Sequence, residues 1–190
     1  MRKIIAVIGD GMIEEGGVKE QTAFELGKAL VDAGYRIQSG GLKGIMKAAF
    51  RGAHASEKYR EGDTVAILPS FDITHANEYA DIVIPTGLDL YRNTIVASAS
   101  AVIAVGGGSG TLSEIANAWA MRRLIIGMTC VEGWSNRLAG QRLDNRKRTD
   151  IEEDKIYGAA TVAEAIALLE KYLPAYTESY GGIPKVERSK

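Results

Sequence analysis

Short runs of apolar, β-branched residues, set apart by glycine breaks and helical stretches, constrain this chain more than any other feature. Lys3 to Gly9 (KIIAVIG) is almost continuously apolar, as in a strand buried on both faces of a parallel sheet. From Val18 to Gly34, the residues Ala23, Leu26, Gly27, Leu30 and Val31 recur at helical spacing, and Gly34 is placed to end that helix. Tyr35 to Gln38 reads as a second strand, broken by Ser39-Gly40-Gly41 before a helix with Ile45, Ala48, Ala49 and Gly52 on one stripe. Val65–Leu68, Ile82–Ile84, Ala101–Val105 and Leu124–Met128 supply four more strands, with helical patterns over 88–99 and 111–122. A last strand at Ile156–Ala160 leads into a helix carrying Val162, Ala165, Ile166 and Leu169, opened by the capping box Thr161-x-x-Glu164 and ended by Pro174.

Such alternation predicts an α/β fold: a doubly wound, Rossmann-like parallel sheet with helices on both faces. One domain is expected over 1–174, with 175–190 a tail that is mobile or packed on a partner subunit. The stretch 129–155 is long for a connection in a compact domain, and reads either as a functional lid or as a solvated flap.

Charge narrows the partners. Lys plus Arg (23) nearly balances Asp plus Glu (24), so no whole-chain field favours nucleic acid or an anionic membrane surface. Cys130 is the single cysteine, which excludes an internal disulfide framework and fits a reducing, cytoplasmic setting. The apolar run Ile4–Ile8 is too short for a signal-peptide core, and no run approaches the roughly 20 apolar residues of a membrane span. His54 and His75 lack Cys or carboxylate partners at ligand spacing, so no metal site is expected.

In open parallel sheets ligands bind beyond the carboxyl ends of the strands. Glycines collect at those predicted ends: Gly9-Asp10-Gly11, Ser39-Gly40-Gly41, Thr86-Gly87, and Gly106-Gly107-Gly108-Ser109-Gly110-Thr111. Each could simply make a tight turn. Four on one predicted edge point instead to close backbone approach to a ligand, with free helix N–H groups attracting an anion at the last loop. The candidate binding set is therefore Gly9, Gly11, Gly40, Gly41, Gly107, Gly108, Ser109, Gly110 and Thr111. A conventional dinucleotide fingerprint is absent, because Glu14 stands where a third glycine belongs and the second strand ends in Gln38 instead of an acid. No Gly-Lys-Ser/Thr occurs, so the Walker pattern is absent too.

Two motifs carry a family resemblance. Gly40 to Met46 (GGLKGIM) resembles GGxxG[LI]M, and Gly106 to Glu114 (GGGSGTLSE) resembles PGGxGTxxE with Gly106 in place of the proline. Together they resemble the LOG, or "possible lysine decarboxylase", Rossmann-type family over about residues 4–128. Arg92-Asn93, Trp134 and Leu138-Ala139-Gly140 resemble the branch of molybdenum-cofactor carrier proteins more closely. The resemblance implies a homodimer or higher homo-oligomer, and a small phosphorylated ligand that is the molybdenum cofactor or a nucleotide. It implies phosphate binding by Gly107, Gly108, Gly110 and Thr111, and places Glu114 at the catalytic acid and Arg92 near the catalytic arginine of the family's nucleoside monophosphate hydrolases. A carrier of a phosphorylated nucleotide-like compound is the first reading; a phosphoribohydrolase using Glu114 and Arg92 is the alternative.

Each residue also has a plain structural reading. Thr111-x-x-Glu114 is itself a capping-box pattern, and Glu114 lies opposite Leu112, Ile115 and Trp119 on a helical wheel, away from the core. Arg92 follows Leu88 by four residues, where its stem could be covered and its head reach a cleft. Cys130 is expected to be a small packing residue and Trp119 a core residue, while Trp134 could stack on a planar ring or against a partner.

Overall fold

A computed structural model describes residues 1–146 and 149–177. Lys147, Arg148 and residues 178–190, which belong to the basic run and the tail noted above, lie outside the described residues. Seven strands form one sheet in the order β4-β3-β2-β1-β5-β6-β7. They are β1 (Ile4–Gly9), β2 (Arg36–Ser39), β3 (Thr64–Leu68), β4 (Ile82–Pro85), β5 (Ala101–Val105), β6 (Leu124–Met128) and β7 (Tyr157–Ala159). Every pairing is parallel.

The period of two within each strand builds two cores. Ile5, Val7, Ile37, Ala66, Leu68, Ile103 and Val105 face α1 (Val18–Asp32), α2 (Ile45–His54) and α6 (Val162–Tyr172). Ala6, Ile8, Val65, Ile67, Val102, Ala104 and Ile125 face α3 (Asn93–Ala97), α4 (Ser109–Ala120) and α5 (Trp134–Leu138). The sheet is thus doubly wound, as its alternating sequence predicts, and the winding reverses between β1 and β5. No helix among the described residues is long and apolar enough to cross a membrane.

Turn chemistry explains the ends. Gly34 adopts φ +87, and the N–H groups of Gly34 and Tyr35 donate to Val31 and Leu30, closing α1 in a Schellman arrangement. The Thr161 hydroxyl accepts from Glu164 N–H, and Glu164 Oε2 accepts from Ala160 N–H. The expected capping box is therefore formed, with its return bond one residue early.

Several expectations change. The helical pattern over 88–99 resolves into a 3₁₀ turn at Asp89–Arg92 followed by the five-residue α3. The connection after β6 is neither lid nor flap at its start: α5 docks on the loop after β5, and Gly140 and Gln141 exchange backbone hydrogen bonds with Ile156. Cys130 is exposed instead of packed. Tyr176, assigned to the tail, is buried against its own domain and donates its hydroxyl to Asp154.

Candidate functional site

The site is built where the strands end. Beyond β1 and β2, a small, partly open cavity of about 120 Å³ is lined by Gly9, Ser39 and Gly40 together with Arg92, Asn93, Thr111 and Glu114. A wider groove of about 590 Å³ opens outward between the 3₁₀ turn and α4, sharing Leu90, Asn93 and Gly110 with the cavity.

Arg92 is the last residue of the 3₁₀ turn and is only 9% exposed. Its Nη1 donates to Glu114 Oε1 at 3.0 Å, while its Nε–H is buried with no hydrogen-bond partner among the described residues. An orphaned guanidinium N–H normally costs free energy unless something satisfies it. Gly40 has a direct role here, because a Cβ at that position would lie 2.5 Å from Arg92 Nη2 and 2.8 Å from Cζ. The first glycine of the GGxxG motif makes room for the arginine of a distant turn.

Glu114 is 6% exposed, which corrects the helical-wheel placement away from the core. The face opposite Ile115 and Trp119 is covered by Arg92 and its turn, so this helix is buried on two sides. Burial raises the Glu114 carboxyl to about 7, against the opposing pull of Arg92. Nor does Thr111-x-x-Glu114 form a capping box: α4 starts earlier, with Gly108 at the N-cap and no side-chain cap. The N–H groups of Ser109, Gly110 and Thr111 in the first turn therefore have no partner within the helix. Asn93 Nδ2 donates to Ser113 Oγ at 2.7 Å and ties α3 to that turn.

The first two glycines of the loop after β5 are fully bonded. Gly106 and Gly107 adopt φ +67 and +99, the left-handed region that glycine reaches at low cost. Gly106 N–H donates to Ser135 Oγ, and Gly106 and Gly107 carbonyls accept from Ser135 and Trp134 N–H at the start of α5. Gly107 N–H donates to Asp10 Oδ2 at 2.9 Å, and Lys19 Nζ donates to the same oxygen at 2.6 Å.

The structure thus gathers Gly9, Gly40, Arg92, Gly110, Thr111 and Glu114 around one cavity, with Ser109 on the outer groove. Gly108 is exposed at the N-cap of α4. Gly11 sits beside Met46, and Gly41 packs on Ala66 with its carbonyl accepting from Asn77. Gln38, where a dinucleotide sheet carries an acid, donates to Ile95 and Val96 carbonyls and fastens α3. Trp134 packs on the second core with Arg137 over its ring. Sequence reasoning passed over Asp10, Lys19 and Ser135; a carboxylate between two glycines just after β1 was the available signal for the first.

Similarity to known proteins extends along the chain. An uncharacterized protein from Archaeoglobus fulgidus is 41% identical over 114 residues, spanning 59% of this chain and 70% of that protein. The molybdenum cofactor binding protein from the phototrophic bacterium Rippkaea orientalis superposes with TM-score 0.74 at 28% identity, covering 91% of this chain and 98% of that one. The molybdenum cofactor carrier protein of Chlamydomonas reinhardtii superposes with TM-score 0.71, also at 28% identity, over 91% and 99%. The family model of SLOG cluster4 matches residues 2–166, most of the sheet and its helices, and the chain belongs to the SLOG cluster4 family.

Proposed function

We propose that this protein binds a small phosphorylated compound and carries it without cleaving it. The observation that carries the reading is Arg92, nine-tenths buried with an unsatisfied Nε–H, beside the open first-turn N–H groups of α4. A phosphate monoester supplies acceptors for both. A cavity of about 120 Å³ suits a phosphate or sugar-sized end, and the adjoining groove of about 590 Å³ has room for a flat ring system. The residues present therefore fit the phosphate end of either the molybdenum cofactor or a nucleotide, held by Ser109, Gly110, Thr111 and Arg92. The likeness to molybdenum cofactor carrier proteins supports the carrier role. The single cysteine supports a cytoplasmic setting.

One observation favours phosphoribohydrolase activity instead. Glu114, held at about 7, could give or take a proton near neutral pH on the wall of this cavity. Incubation of the wild-type protein with AMP or N6-substituted AMP is expected to release no free base, with Glu114→Gln retaining AMP in equilibrium dialysis. Free adenine and ribose 5-phosphate at many turnovers, abolished by Glu114→Gln, would reverse the assignment. Mass spectrometry of small molecules released from purified protein names the cargo.

A homodimer is part of the same proposal. Ile82 and Ile84 on the outer face of β4 are 44% and 43% exposed, next to exposed Leu88, Leu90, Tyr91 and Ile95. Among the described residues, no helix covers this end of the sheet on that face. Exposed large apolar side chains gathered on one segment of the fold are the kind of surface that a second subunit covers. Sedimentation should give a dimer or larger for the wild type and a monomer for Ile84→Asp; a wild-type monomer at micromolar concentration sinks this part.

A further inference from the structure

We propose that Asp10 is a specificity-determining residue that holds the anion seat of the sheet's central crevice and so limits the ligand to a single phosphate. The inference rests on the phosphate-binding reading above. In an open parallel sheet the ligand crevice lies where the winding reverses, here between the ends of β1 and β5. A dinucleotide's pyrophosphate crosses such a crevice on the N–H groups of the glycine loop. Asp10 is the first residue after β1, and its carboxylate reaches across to the loop after β5. There it makes the contacts an oxyanion would make: a backbone donor, Gly107 N–H at 2.9 Å, and a cation, Lys19 Nζ at 2.6 Å. The side chain of Gly106 has to be absent for this, since a Cβ would lie 2.5 Å from Asp10 Oδ2 and 3.0 Å from Lys19 Nζ.

Asp10 has little freedom to withdraw. Its carbonyl accepts from Ile45 N–H at 2.9 Å, which pins the backbone to the start of α2. The remaining crevice donor, Gly106 N–H, is taken by Ser135. Among the described residues, the donors of this loop left without a helical partner run from Gly108 to Thr111, toward Arg92 and away from Asp10, which suffices for one phosphate. A second phosphate extended along the loop would meet the Asp10 carboxylate, and like charges in close contact are strongly disfavoured.

The experiment titrates AMP, ADP and inorganic pyrophosphate into wild-type, Asp10→Asn and Lys19→Met proteins by calorimetry, with thermal melts to confirm folding. Asparagine keeps an acceptor for Gly107 N–H but removes the charge. We expect the wild type to prefer AMP over ADP by about tenfold or more, as a like-charge penalty requires. Asp10→Asn should erase that preference by tightening ADP and pyrophosphate, with AMP changed less than about threefold on the same scale. Lys19→Met leaves the carboxylate uncompensated and should sharpen the preference, which keeps the test decisive even if Asp10→Asn does not fold. An unchanged ADP-to-AMP ratio in folded Asp10→Asn, or a wild type that binds ADP as well as AMP, overturns the proposal. If AMP binds neither protein while Asp10→Asn gains pyrophosphate, the nucleotide-like reading fails and Asp10's role stands. If AMP binds, Thr111→Val weakens it and Asp10→Asn alters nothing, Asp10 is only a staple between loops.

Discussion

Titration of the Arg92→Ala protein with AMP is expected to show affinity lowered by roughly 10- to 150-fold, the range for loss of a charge-assisted hydrogen bond. Arg92 is buried on the cavity wall and its Nε–H has no partner among the described residues, so truncation removes a guanidinium that the ligand would satisfy. The same change strips Glu114 of its cation. In the wild type, burial holds Glu114 at about 7 although Arg92 opposes the shift, so deleting Arg92 drives this carboxyl higher still. A raised folded-state value means that the native protein holds a proton which the unfolded chain has lost. The stability linked to it is full below about 4.5 and falls as pH rises through about 7. Thermal melts at pH 5.5 and 8.5 should therefore show a deficit at the higher pH that Glu114→Gln abolishes and Arg92→Ala enlarges. The Arg92→Ala fold survives near neutral pH because the carboxyl can go uncharged. Unchanged AMP affinity together with pH-independent melts would reduce Arg92 to a packing residue.

Gly52→Ala should destabilise the protein by about 3 kcal/mol or more, at the upper end of what overpacking a core costs. A Cβ on Gly52 would overlap the carbonyl of Phe24, and one on Gly27 would overlap the carbonyl of Ala49. The two glycines lie on facing helices, each against the other's backbone, so no flexible side chain can move aside. The helices α1 and α2 must separate, which opens the core containing Ala23, Leu26, Ala49 and Ala53. For a domain of this size the midpoint should drop by about 6–12 °C, read by scanning calorimetry. Gly110→Ala is the control, since a Cβ there meets nothing within 4 Å and the site lies inside α4. That variant should hold its midpoint or gain slightly from helix propensity. Equal losses in both variants would mean that the contact between the two helices does not set the cost, since the lower unfolded-chain entropy of alanine acts in the stabilising direction.

Much of this molecule was legible in the chain because the determining interactions are short-range. Apolar runs marked all seven strands to within a residue at each end, Ile4–Gly9 and Ala101–Val105 among them, since burial on both faces removes the need for polar alternation. Gly34 and Thr161 announced helix ends because their turn chemistry acts within a few residues. The glycine clusters marked the strand ends that line the cavity for the same local reason. What the sequence could not express is pairing across the sheet. Arg92 and Glu114 stand 22 positions apart, and Asp10 meets Gly107 across 97. A helical wheel sees one face of α4 as solvent, while the turn at Asp89–Arg92 covers it and turns Glu114 into a buried carboxyl. Likewise Gly40 could be read as a turn residue, but only the fold brings the Arg92 guanidinium to within contact of it. Local propensities determine which segments become strands and helices; the order β4-β3-β2-β1-β5-β6-β7 decides which loop ends become neighbours, and a charge's partner and burial depend on that neighbourhood.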